Sequence, residues 1–168
     1  FGTQQAFIDG ESYPGIDTFE VENPATEEVI ATVSDVGEDG VDAALDAAET
    51  AADGWMDYDP VERGRLLRRI GDRFQEEADR LAEIETLEMG RPLSESQGQA
   101  GAVANYFEYY GGLADKIEGE TIPLPGEQDR HTYTKREPLG VTAHVVPWNS
   151  AIILAARSIL PALAAGNT

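Results

Sequence analysis

The chain has 168 residues, the size of one ordinary domain or of a piece of a larger protein; it opens on Phe1 and stops at Asn167-Thr168, and both ends read as cut. Asp and Glu number 32 against 12 Lys and Arg, a net charge of -20, which argues against DNA, RNA or an anionic membrane as partner because a phosphate surface would repel it. With no cysteine there is no disulfide, thiolate nucleophile or Cys metal site in these residues, and no apolar run approaches the roughly 20 residues that span a bilayer.

In chain order, Ala6-Phe7-Ile8 and Glu11-Ser12-Tyr13 flank Asp9-Gly10, a two-residue hairpin signal. Phe19 and Val21 alternate with Glu20 and Glu22, Asn23-Pro24-Ala25-Thr26 turns the chain, and residues 29–33 form a second β-prone run. Half-exposed antiparallel strands are therefore expected over about 6–33. No charged n-region with an apolar h-region precedes Phe7, so no signal peptide is visible, although the missing start could hold one.

Residues 39–118 change to helical period. A helix starting at Asp39 or Gly40 would turn Val41, Leu45, Ala48 and Ala52 to one side and close at Gly54. Asp59-Pro60-Val61-Glu62 is a clear start, with Asp at N-cap, Pro at N1 and Glu at N3. Leu66, Leu67, Ile70 and Phe74 make one stripe; Leu81, Ile84 and Leu87 make another, stopped by Gly90-Arg91-Pro92. Ala100, Ala104, Phe107 and Gly111 continue at spacings of three and four, while Gly98, Gly101, Gly111 and Gly112 either weaken that helix or let a neighbour approach closely. Residues 119–138 are turn-rich apart from a β-prone stretch at 131–136. Residues 141–146 read as a strand buried on at least one face, Pro147-Trp148-Asn149-Ser150 breaks it, and 152–165 is an apolar helix with Gly166 at C′ and Pro161 as a kink or a second start.

The predicted fold class is α/β: β-hairpins, then helices, then the first β-α unit of a doubly wound parallel sheet. Ligands bind such sheets at the carboxyl ends of the strands, which is where Val145-Val146-Pro147-Trp148-Asn149 falls. An Asn amide there can donate N–H to a developing oxyanion. The alternative is that Asn149 caps the helix and Trp148 fills the core, and spacing alone favours the cap.

Pro147-Trp148-Asn149, followed by Pro161-Ala162-Leu163-Ala164-Ala165-Gly166-Asn167-Thr168, resembles the aldehyde dehydrogenase superfamily. Asn23-Pro24-Ala25-Thr26, Leu87-Glu88-Met89-Gly90-Arg91-Pro92, Gly119-Glu120-Thr121-Ile122-Pro123 and Arg136-Glu137-Pro138-Leu139-Gly140-Val141 agree in the same order, so the resemblance covers essentially the whole chain. It implies the N-terminal portion of an NAD(P)-binding domain with oligomerisation strands at about 6–33 and 131–136, and with the catalytic domain absent. The family oxidises aldehydes to carboxylates with NAD or NADP through a cysteine thiolate and a glutamate base, both expected beyond Thr168. By itself the chain is then expected to be inactive, and with an open sheet edge and a half-covered apolar helix to aggregate or fold only partly. A non-catalytic assembly or nucleotide-binding paralogue is the competing class, and an acyl-phosphate or acyl-CoA reductase the competitor within the fold.

By the same resemblance Asn149 matches the oxyanion-hole side chain, and Val145, Val146, Pro147 and Trp148 match the nicotinamide side of the cofactor cleft. Ser150, Leu154 and Arg157 match the substrate tunnel, and Glu88 a monovalent-cation position. Two residues depart from the pattern: Ser150 replaces the usual aromatic, suggesting a wider or more polar mouth, and Ser158 replaces the usual helix lysine. Arg157 is the one charged side chain between residues 138 and 168. It would suit a semialdehyde bearing a carboxylate, or it simply snorkels to water. The expected partners are a small-molecule aldehyde and, at full length, further copies of the chain, with no nucleic acid and no membrane. The basic residues include only two lysines, Lys116 and Lys135, and an acid-rich, Lys-poor surface resembles proteins adapted to molar salt.

Overall fold

The computed structural model describes residues 1–126 and 129–168; residues 127 and 128, within the stretch expected to be turn-rich, lie outside the description. A two-residue strand, β1 (Thr3–Gln4), precedes the hairpin of β2 (Ala6–Ile8) and β3 (Glu11–Tyr13), paired Ala6↔Tyr13, Phe7↔Ser12 and Ile8↔Glu11. Asp9 and Gly10 both take positive φ, 51° and 80°, the left-handed pair that a type I′ turn requires. β4 (Asp17–Asn23) and β5 (Glu28–Asp35) are antiparallel, from Asp17↔Asp35 to Asn23↔Glu28. The turn between them is closed by the Asn23 side chain, whose Oδ1 accepts from Ala25 N at 2.9 Å. β1 lies parallel to β5 on its other side, giving the order β1-β5-β4. The polar residues of β1 carry no strand alternation, so this pairing was not foreseen.

The helices follow. α1 (Gly37–Met56) runs through Gly54, and its Val41 and Leu45 are exposed. They line an open groove with Phe7, Ile8, Val141 and Ala143 instead of a core. α2 (Pro60–Glu76) begins as expected: Asp59 Oδ1 accepts from Val61 N at 2.9 Å and Glu62 N at 3.0 Å. Its buried side carries Arg63, Gly64, Leu67 and Gly71, while Ile70 is exposed; the inward stripe is rotated from the one its large apolar residues suggest. α3 (Ala78–Met89) buries Ala78, Ala82 and Glu85 and leaves Leu81, Ile84 and Leu87 half-buried at its shoulder. It stops at Gly90 in the left-handed region (φ 73°), as Gly90-Arg91-Pro92 indicates. α4 (Leu93–Leu113) packs Val103 and Phe107 against Leu67 of α2.

The glycines explain why small residues lie on the inward side. A Cβ on Gly64 would sit 2.3 Å from the Gly111 carbonyl oxygen, and one on Gly71 would sit 2.6 Å from Phe107 Cβ. α2 and α4 thus touch backbone to backbone. Gly98 and Gly101 face open space and only weaken α4.

β6 (Thr121–Ile122) and β7 (Thr132–Tyr133) form a short antiparallel pair. The run 141–146 is not a strand; the expectation of a strand buried on one face needs correction. A strand requires a hydrogen-bonded backbone neighbour, and among the described residues only Thr168 bonds to its backbone. Thr142 N donates to Thr168 O at 2.6 Å and Thr168 N to Gly140 O at 3.1 Å, the two-bond pattern of a single parallel bridge. Val145 is 98% exposed. A 3₁₀ turn over Trp148–Ser150 leads into α5 (Ala151–Ala164), which runs continuously through Pro161 and ends before Gly166 (φ 91°). Leu160, Ala156 and Ala164 complete the core with Leu67, Val103, Phe107 and Ala114.

Two polar side chains seal this core. Arg63 Nε donates to Ala164 O at 3.1 Å, and its Nη1 donates to Trp55 O and Tyr58 O at 3.2 Å each. It thereby satisfies carbonyls at the ends of α1 and α5, where a cation is electrostatically favoured. Asn167 uses Oδ1 to accept from Leu139 N at 2.7 Å and Gly140 N at 3.2 Å, and Nδ2 to donate to Ala162 O at 3.1 Å. Glu85 is the one acidic residue buried among the described residues; the other described carboxylates are exposed or half-buried, with few cations to offset their charge. The melting temperature of the full-length protein is accordingly expected to rise steeply with KCl as self-repulsion is screened. Equal melting temperatures at low and multimolar KCl would reject that.

Candidate active site

The 148–150 turn projects at the amino end of α5. Pro147 sets the entry at φ -68°, ψ 149°, and Trp148, 78% exposed, stands outside the core that the capping alternative would have it fill. Asn149 does not cap the helix: the N-cap of α5 is Ser150, and no side-chain bond is made there. The Asn149 amide is exposed and makes no hydrogen bond among the described residues. Its backbone, in contrast, is held. Arg91 Nη2 donates to Asn149 O and, at 2.9 Å, to Ser150 Oγ.

Val145, Pro147 and Trp148 are exposed and Val146 is half-buried. Apolar side chains are thus left uncovered in the four residues that lead to Asn149, at the carboxyl end of the 141–146 run. Ser150 and Leu154 are half-buried, and Arg157 is exposed with no ion pair among the described residues. Ser158 hydrogen-bonds His144 Nδ1 at 2.7 Å, and His144 Nε2 meets Thr142 Oγ1 at 3.0 Å. The Thr142 hydroxyl donates to Thr168 O at 3.0 Å, so it accepts from His144, which places the imidazole proton on Nε2. This network ties the 141–146 run to the inner side of α5.

Glu88 is exposed near the end of α3 and shares a groove with Arg80 and Ile84 against the three-stranded sheet. Among the described residues no group of three or more His, Asp or Glu is placed to hold a metal ion. One and a half turns before Arg91 lies Glu85, 3% exposed, with both carboxylate oxygens buried and without a partner. Burial pushes its carboxyl above the ordinary 4.5, the Arg91 charge opposes this, and Glu88 adds to it. The folded state then holds this proton more tightly than the unfolded chain. Its contribution to stability is full below the ordinary value of 4.5 and is lost as pH rises through the folded value. Glu85→Gln is therefore expected to match wild type in thermal melts at about pH 4 and to exceed it at about pH 7. A wild-type advantage at neutral pH would contradict this assignment.

Arg63, Asn167, Arg91 and Glu85 were missed as structural or site residues in the sequence. A charged residue on a helix reads as solvated, and contacts 58 or 101 positions away leave no local trace. Only Asn167, directly after a C′ glycine, carried a usable signal.

The profile of the aldehyde dehydrogenase family matches residues 10–168. The (Z)-2-((N-methylformamido)methylene)-5-hydroxybutyrolactone dehydrogenase of Acinetobacter baylyi is 42% identical over 166 residues, covering 98% of this chain and 34% of that protein. An NADP-dependent enzyme of E. coli superposes with a TM-score of 0.94 at 36% identity, over 99% of this chain and 35% of that one. The betaine aldehyde dehydrogenase of Staphylococcus aureus, in complex with NAD+, superposes with a TM-score of 0.93 at 36% identity, over 98% of this chain and 34% of that one. The chain spans about a third of the length of the relatives it matches, and its mixed α/β architecture corresponds to the N-terminal part of their fold.

Proposed function

The chain belongs to the aldehyde dehydrogenase family, and on that premise we propose that it is the N-terminal portion of the NAD(P)-binding domain of an enzyme oxidising an aldehyde to a carboxylate with NAD or NADP. The observation that carries this reading is Asn149: an exposed amide with no bond among the described residues, on a backbone that is held by Arg91, at the carboxyl end of the 141–146 run. Such a group is an oxyanion donor in waiting. It would stabilise the oxygen of the aldehyde once a cysteine thiolate, supplied from outside these residues, adds to the carbonyl. The exposed apolar surface of Val145, Val146, Pro147 and Trp148 fits one side of a flat nicotinamide ring. NAD or NADP, when bound there, accepts hydride from the substrate carbon. These residues would orient the ring and exclude water.

Ser150, Leu154 and Arg157 line the approach to Asn149 in this reading. The guanidinium of Arg157, without an ion pair among the described residues, favours an aldehyde bearing a carboxylate, a semialdehyde, among possible substrates. Glu88 is the candidate for a monovalent cation. The strands within 6–33 and 131–136, with Phe7 and Tyr133 exposed, serve assembly into a homo-oligomer. The acidic surface fits a salt-adapted cytoplasmic enzyme without nucleic-acid or membrane partners, and no helix of the described residues is long and apolar enough to cross a membrane. The test is nicotinamide reduction by the full-length protein with simple aldehydes and semialdehydes, with NAD+ and NADP+ compared. Reduction with none of them would leave the non-catalytic reading.

A further inference from the structure

We propose that Arg91 is a positioning residue for Asn149, holding the 148–150 turn so that the Asn149 amide is aimed at the reacting carbonyl without bonding to the protein. The inference deepens the oxyanion reading above and rests on it. Arg91 Nη2 donates to the Asn149 carbonyl and to Ser150 Oγ at 2.9 Å, and the Ser150 hydroxyl donates to the same carbonyl. The Asn149 carbonyl thus has two donors, while its side chain has none among the described residues.

The arm that reaches it is rooted on both sides. Gly90 closes α3 in the left-handed region, its N–H bonded to Thr86 O at 2.9 Å, and a Cβ there would stand 3.0 Å from Pro24. Pro92 starts α4, its carbonyl accepting from Glu95 N at 2.9 Å and Ser96 N at 3.1 Å. An arginine kept only for solubility would be exposed or paired with a carboxylate. This one is half-buried, and among the described residues its bonds go to a backbone carbonyl and a hydroxyl, with no ion pair. Charge-assisted bonds to a turn fix the base of a side chain whose own torsions are otherwise free. Preorganisation of that kind makes an oxyanion donor effective.

The test uses the full-length protein and a double-mutant cycle of Arg91→Met with Asn149→Ala. Arg91→Met is expected to lower kcat about tenfold with little change in KM for the cofactor, and to cost less than about twofold once Asn149 is already Ala. Equal costs in both backgrounds, or a kcat within about twofold of wild type, would overturn the inference. If Arg91→Met does not fold, Arg91→Gln is expected to show the same non-additivity. Hydrogen exchange of the peptide spanning 147–151 gives an arm independent of activity. Arg91→Met is expected to raise its exchange about tenfold, with the α2 and α4 peptides unchanged, and an unaltered rate would reject the clamp. Should the wild-type protein oxidise no aldehyde, the functional reading falls, and the exchange arm still decides whether Arg91 holds the turn.

Discussion

Replacing Asn149 by Ala in the full-length protein is expected to lower turnover by roughly 10²–10³-fold, the usual cost of one oxyanion donor. The melting temperature should stay at the wild-type value. Both halves of that expectation come from the same geometry. The amide is exposed and bonds to no described residue, so nothing in the fold is lost with it. The backbone bonds from Arg91 and Ser150 go to the Asn149 carbonyl and survive the substitution. In the proposed oxyanion role, what is lost is an N–H aimed where negative charge develops, an interaction made mainly in the transition state, so kcat should fall and cofactor KM should not. Asn149→Asp keeps the shape, replaces the donor by an acceptor and adds a charge that repels the oxyanion; its loss should be at least as large. Activity of Asn149→Ala within about twofold of wild type would refute the role.

The largest effect on stability is expected from Gly64→Ala. In an ordinary helix interior Gly→Ala gains up to about 1 kcal/mol, and Gly98→Ala in α4, where a Cβ meets nothing within 4 Å, should show that gain. At Gly64 the added methyl would lie 2.3 Å from the Gly111 carbonyl oxygen, well inside van der Waals contact. The obstacle is helix backbone, which cannot rotate away as a flexible side chain does. α2 and α4 would have to separate by about 1 Å, enough to forfeit a good part of the dispersion contact around Leu67, Val103 and Phe107. Arg63, one residue earlier, would be drawn from the three carbonyls it satisfies. The net loss should be about 3 kcal/mol. A Gly64→Ala protein melting at or above wild type, or one that behaves like Gly98→Ala, would show that the helices do not cross so closely.

Much of the chain was legible before any coordinates because the signals are local. Asp9-Gly10, the Asp59-Pro60-Glu62 start, the Gly90 stop and the Gly166 C′ position depend on two to four neighbouring residues, and each stands where its backbone chemistry requires. The family was likewise readable, since Pro147-Trp148-Asn149 and the accompanying motifs are short stretches in order. The apolar period of α1 was read as a helix with Val41 and Leu45 on one side, and periodicity fixes which residues share a side and not what lies opposite; Val41 and Leu45 face an open groove. The 141–146 run has strand composition and no strand, because a ladder needs a second chain segment and among the described residues only Thr168 supplies one bridge.

Residue order was enough for the secondary-structure punctuation, the acidic composition, the family resemblance and Asn149 as the candidate oxyanion donor. Packing was needed to show which glycines are contacts and which are merely weak points, that Arg63 and Glu85 are buried, and that Arg91 bonds the turn carrying Asn149. Torsional preference and capping act over a few residues and can be read along the chain, whereas steric contact, burial and charge act through space between residues 47, 58 or 101 positions apart, where only the packed structure says who the neighbour is.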